Sequence, residues 1–118
     1  MNPYLKMQVE TATPVERVVL LYDRLALLLK EALEALEVGD TPRRINSIAK
    51  AERIVQVLNS SLDFEAGGEV ARALRNFYET LLTGMFVATR EAEPQVLKNL
   101  IMMVEEVRGA WEEVKSKV

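Results

Sequence analysis

The sequence predicts an all-α protein: an antiparallel up-down-up-down four-helix bundle with a short N-terminal segment ahead of it. Three observations carry that expectation. Apolar residues recur at three- and four-residue steps along most of the chain, and no run alternates with period two for long enough to make a strand. Punctuation falls at Pro14, Gly39, Pro42, Gly67-Gly68 and Pro94, where helices start or stop. The segments between these marks are of matched length, roughly 20 to 24 residues each, or about 30–36 Å of helix. Matched helices joined by short connections pack as antiparallel neighbours.

Residues 1–12 lie outside the bundle plan and carry Tyr4, Leu5, Met7 and Val9. The first helix is expected over 14–37. Thr13-Pro14-Val15-Glu16 reads as a capping box with Pro at the first helical position, and Gly39 as the stop. Its core stripe is Val15, Val18, Tyr22, Leu25, Leu29, Ala32 and Leu36. Thr41-Pro42 repeats the cap-plus-Pro start for a second helix over 42–62, with Ile45, Ile48, Val55, Leu58 and Leu62 on its stripe. The third helix, 68–91, begins after Gly67-Gly68 and uses Ala71, Leu74, Phe77, Tyr78, Leu81, Met85 and Ala88. Pro94 opens the fourth, 94–115, with Leu97, Leu100, Ile101, Val104, Val107, Trp111 and Val114 in register. Trp111 is therefore expected to be at least partly buried.

A chain of 118 residues, 49% of them apolar, forms one domain with a sizeable core. Its net charge of −3 lacks the Lys and Arg excess of a nucleic-acid surface, and no block of one sign suggests a membrane surface. Cysteine is absent, which excludes disulfides, thiolate metal sites and a Cys nucleophile. Histidine is absent too, removing the commonest general base, the usual metal ligand and a phosphohistidine relay. No carboxylates stand in a catalytic spacing, and Gly67-Gly68 has no following Lys-Ser/Thr for phosphate. An enzyme is not expected, nor a cofactor or metal. The opening MNPYLKMQVETATP has no basic stretch followed by an apolar one, so it does not read as a secretory signal. Charges at Arg17, Asp23, Arg24 and Lys30 break the apolar segments, so no membrane insertion is expected, and the cytoplasm is the expected location.

Two features exceed what a plain bundle needs. Helix 1 carries Leu20, Leu21, Leu27, Leu28 and Leu33 beside its stripe, helix 2 adds Ile54 and Val57, and helix 4 adds Val96, Met102 and Met103. Either helix 1 is buried nearly all round, or some of these residues line grooves that take a partner helix or peptide. The second feature is the junction Leu58–Glu69, LNSSLDFEAGGE. On its residues it is a helix stop followed by a Gly-rich turn. Asn59, Ser61 and Asp63 would bond backbone groups, and Gly67 or Gly68 would take a positive φ.

These elements also occur together in a recognisable order. PYLKMQVETATPVERVVLLYDRLALLL, LNSSLDFEAGGEVARALRNFY and LIMMVEEVRGAW resemble, over essentially the whole chain, the FliS family of flagellar export chaperones. Arg24 after the Leu-Tyr-Asp element, and Thr83-Gly84 late in helix 3, depart from the family pattern. The resemblance implies a cytoplasmic, cofactor-free four-helix chaperone. Its client would be the disordered C-terminal segment of flagellin, which it keeps from premature polymerisation. When loaded, it would deliver that client to the flagellar type III export gate. The N-terminal segment is implicated in client binding by the same resemblance, or else serves as a staple or lid at one bundle end. With the surplus apolar residues, this makes Tyr4, Leu5, Tyr22, Ile54, Leu58, Leu100, Ile101 and Val104 the candidate contact set. The free protein is expected as a monomer or weak homodimer. The alternative, on the same surface chemistry, is a structural helical module that self-associates.

Overall fold

The structure, a computed structural model, describes Pro3 and residues 13–118; Tyr4, Leu5, Met7 and Val9 lie outside the described residues. Helix α1 spans Pro14–Glu37. The Thr13 hydroxyl accepts from the Glu16 amide at 3.2 Å and donates to the Glu16 carboxylate at 3.0 Å, so the cap forms and Glu16 reaches back to the Thr13 side chain. The other end is a Schellman motif: Gly39 takes φ 76°, its N–H donates to Leu36 O, and the Asp40 N–H donates to Ala35 O.

Helix α2 spans Thr41–Ser60, and its N-cap is Asp40, not Thr41. An Asp carboxylate reaches the N3 amide readily, and Oδ1 accepts from Arg43 N at 3.2 Å. Asp40 thus closes one helix with its N–H and opens the next with its side chain. The expected stop at 62 comes earlier, because the Ser61 hydroxyl donates to Val57 O at 2.7 Å beside the last backbone bonds.

Helix α3 spans Phe64–Arg90 and starts before the glycine pair rather than at 68. Asp63 caps it, accepting from Glu65 N and Ala66 N at 3.0 Å each. The glycines still mark a break: Gly68 sits at φ 50°, ψ −121°, so Phe64–Gly67 is a separate helical turn ahead of the long helix. That bend lets Phe64 come under the Arg75 guanidinium, 5.3 Å from the ring centre. Helix α4 spans Pro94–Ser116 behind a Glu93 cap.

Helix α1 packs against α2 and α4, and α3 closes the square against the same two. Ion pairs give the directions. Arg43 at the start of α2 lies by Glu31 and Glu34 near the end of α1, while Asp23–Arg108 and Lys30–Glu105 run in opposite senses along α1 and α4. Gly84 lets α3 approach α4, since a Cβ there would lie 2.6 Å from Leu100 Cδ2. The described residues form four helices and no strand, the expected antiparallel bundle.

The core holds Tyr22, Leu25 and Leu29 of α1, Ile48 and Val55 of α2, Tyr78, Leu81 and Met85 of α3, and Leu97 and Val104 of α4. Helix α1 is neither bare nor wrapped all round. Leu28 is buried and Leu20, Leu21 and Leu33 are half-buried, but Leu27 is 56% exposed.

Candidate functional site

One end of the bundle is open. There the start of α1, the end of α2, the capped turn of α3 and the end of α4 surround a cleft of about 370 Å³. Its lining is almost wholly apolar: Val18, Leu58, Leu62, Ala66, Val70, Ala71, Leu74 and Trp111, with Tyr78 among them and Ser61 and Asp63 as the polar members. The local sequence explains the opening. Ser61 and Asp63 end α2 and restart the chain, and Gly68 turns it sharply, so Phe64–Gly67 stands at the cleft wall instead of extending α3. Val70 is 66% exposed, an apolar side chain left to solvent one turn beyond the bend.

Beneath the cleft two phenols meet. Tyr22 and Tyr78 join diagonally opposite helices through a 2.7 Å hydroxyl–hydroxyl bond, and Tyr22 also packs on Trp111 with ring centres 6.4 Å apart. Burial pushes both phenols above their ordinary range. For Tyr22 the rise is partly offset by the bond to Tyr78 and by the Trp111 indole packed beside it; for Tyr78 the bond to Tyr22 adds to it. Neither ionises near neutral pH, so both remain hydrogen-bonding groups.

The candidate contact residues divide by burial. Tyr22, Leu100 and Val104 lie in the core with at most 3% exposure, and Leu58, at 5%, is a floor residue of the cleft. Ile54 and Ile101 are half-buried against the core. Tyr4 and Leu5 fall outside the described residues. Helical spacing is the same for a core stripe and a groove floor, which is why periodicity alone grouped them. The cleft residues left out of that contact set are Leu62, Val70 and Trp111 in particular, though spacing already puts Leu62 and Trp111 on core stripes. The available signal was their position: all three lie at element ends, where four helices leave one mouth.

The junction serves the architecture in part. Ser61 and Asp63 bond backbone groups as their residue types suggest, but Asn59 Oδ1 is buried without a partner among the described residues. A second, smaller crevice between α1 and α4 is polar. Arg108 reaches Asp23 at 3.0 Å and Glu105 at 3.1 Å there, and Lys30 reaches Glu105 at 3.0 Å. Among the described residues no cluster of His, Cys, Asp and Glu could hold a metal ion, and no helix is long and apolar enough to cross a membrane.

Comparison with known proteins gives a consistent result. The flagellar secretion chaperone FliS of Vibrio cholerae is 27% identical over 107 residues, covering 91% of this chain and 79% of its own. Its namesake in Bacillus subtilis is 28% identical over 115 residues, covering 95% and 85%. That of Salmonella typhimurium is 26% identical over 119 residues, covering 97% and 88%. The family model described as flagellar protein FliS matches residues 1–118. With the bundle, the open apolar end and a match that leaves no part of the sequence out, the chain belongs to the flagellar protein FliS family.

Proposed function

We propose that this protein is a flagellar export chaperone whose client is flagellin. It holds the otherwise disordered C-terminal segment of flagellin in the cytoplasm, prevents premature polymerisation and aids delivery to the flagellar type III export gate. It uses neither a cofactor nor a catalytic step. The observation that carries this reading is the open apolar cleft at one bundle end, floored by Leu58 and Trp111 and rimmed by Val70. The relatives, named as flagellar secretion chaperones, support the client class.

The physical case rests on compensation. A disordered segment loses conformational entropy when it is ordered on a surface. Burial of apolar area at about 25 cal/mol per Å² offsets that loss only where the surface is long and apolar. The cleft supplies one such stretch, and half-buried Ile54 and Ile101 leave further apolar surface outside it. Residues 1–12, with Tyr4 and Leu5, precede α1, whose first turns contribute Val18 to the cleft.

Calorimetric titration with the flagellin C-terminal segment tests the reading. Saturable binding with a negative heat-capacity change is expected from apolar burial. Absence of binding at high micromolar concentration, with the bundle folded, would remove the chaperone reading. The self-associating module would then stand in its place. Exposed Phe86 and Met102, at 59% and 64%, favour that second reading, and sedimentation of the free protein measures it. A monomer or weak dimer agrees with the chaperone.

A further inference from the structure

Tyr22 and Asp23 are neighbours on α1, and Arg108 and Trp111 stand one turn apart on α4. The two helices meet twice at that level. Inside, the Trp111 indole packs on the Tyr22 ring, with centres 6.4 Å apart, and lines the cleft. Outside, Arg108 Nη1 donates to Asp23 Oδ1 at 3.0 Å. The rest of the guanidinium is held on its own helix, where Nε and Nη2 donate to Glu105 Oε2 at 3.2 and 3.1 Å. Among the described residues, Asp23–Arg108 is the α1–α4 ion pair nearest the open end; Lys30–Glu105 lies further from it. Packing holds that end of α4 weakly. Trp111 is half-buried, Val114 on the same stripe is 42% exposed, and the helix ends at Ser116.

We propose that Asp23 and Arg108 are positioning residues of the cleft: their ion pair seats the last turns of α4 on α1 and so fixes Trp111 as the floor on which the client segment binds. The inference rests on the chaperone reading above and adds what keeps that site formed. Residues three apart on a helix share a face, so holding Arg108 sets where Trp111 points. A guanidinium bonded to carboxylates on both helices lets α4 neither slide nor turn without breaking one set of bonds. Without the Asp23 carboxylate, Glu105 and Glu112, the latter at 3.8 Å, hold Arg108 on α4 alone. The size of the effect is bounded. An ion pair with side chains 32% and 46% exposed biases the seated position by no more than about fivefold. Client affinity scales with the seated fraction and falls by no more than that when the pair is lost.

The chain has a single tryptophan, so its fluorescence under selective excitation reports Trp111 alone. The test compares three full-length variants by Trp111 emission, melting curve and calorimetric titration with the flagellin C-terminal segment. Asp23→Asn removes the charge with little change of shape. It is expected to shift the emission to the red, open the indole to a neutral quencher and weaken binding about three- to fivefold. Asp23→Glu keeps the carboxylate and is expected to lie closer to the parent in both readouts. Lys30→Met cuts the other α1–α4 tie of the same network. It is expected to cost as little in melting as Asp23→Asn, with the parent's emission and affinity. Parent-like emission from Asp23→Asn would overturn the proposal, whatever its affinity. So would an emission shift with binding within twofold of the parent, since the client then does not read the place of Trp111. Equal changes of emission and affinity in Lys30→Met would overturn it too, and mark a general loosening of α4. If the parent itself does not bind, the chaperone reading fails and the proposal with it; if the parent binds and Asp23→Asn binds equally, only this inference fails.

Discussion

Gly67 and Gly68 are adjacent and are needed for different reasons. Gly68 holds φ 50°, ψ −121°, the first central position of a type II′ turn, where an L side chain is strained by roughly 1–3 kcal/mol. Gly67 has no positive φ, but a Cβ there would lie 2.8 Å from the Ala71 Cβ, a contact with no flexible end to move aside. Both Gly67→Ala and Gly68→Ala are expected to lower the melting temperature; a scan that leaves both at the parent value would refute the strained turn. Arg44 makes a contrasting case. It is 6% exposed, and among the described residues it donates one 3.4 Å bond to Thr89 O and leaves Nε buried without a partner. With no carboxylate paired to it among the described residues, this buried charge costs desolvation that one long bond to a carbonyl does not return. Arg44→Met is therefore expected to unfold at an equal or higher denaturant midpoint than the parent.

At the scale of elements, the α1–α4 contact is tied across its surface by a small charge network. The hydrogen bond from Lys30, with Arg108 behind it, holds the Glu105 carboxyl below its ordinary value of 4.5. A lowered acid stabilises the fold above its unfolded pKa, and that contribution is lost as pH falls through the folded one. Glu105→Gln should thus be less stable than the parent at pH 7, by no more than about 1 kcal/mol for so exposed a pair. Urea titrations should show the gap closing as pH drops below 4.5. A gap that persists unchanged into acid would place the effect in packing rather than charge. The cap at Asp63 governs a different element. Its carboxylate holds two amides of the turn that walls the cleft, and Asp63→Ala should cost about 1 kcal/mol.

For the whole molecule, the separation of core from surface decides which changes touch binding. Leu100 is 3% exposed and packed against Gly84, so Leu100→Ala should lose about 2–5 kcal/mol of stability. Val70 is 66% exposed on the cleft rim, so Val70→Ala should leave the melting temperature nearly unchanged while weakening the flagellin segment in titration. The opposite pattern, with Val70→Ala silent in binding and Leu100→Ala silent in melting, would show the cleft to be misplaced as the client site.

Helix number, helix order and the main stops were legible because they depend on local physics. Thr13-Pro14 and Gly39 act within one turn of chain, and a stripe such as Leu97-Leu100-Val104 declares its face through a 3.6-residue period. Asp40 taking the cap from Thr41, and α3 starting at Phe64, shift boundaries by a few residues, because several capping side chains compete for the same amides. The candidate site was less legible. Tyr22 and Leu58 share the same periodic signature, yet one lies wholly in the core and the other floors the cleft. That difference arises only when four helices pack: whether a fifth surface covers a side chain is not a property of its own helix. The phenol pair makes the same point. Tyr22 and Tyr78 are 56 positions apart, and only the diagonal of the closed bundle brings their hydroxyls to 2.7 Å.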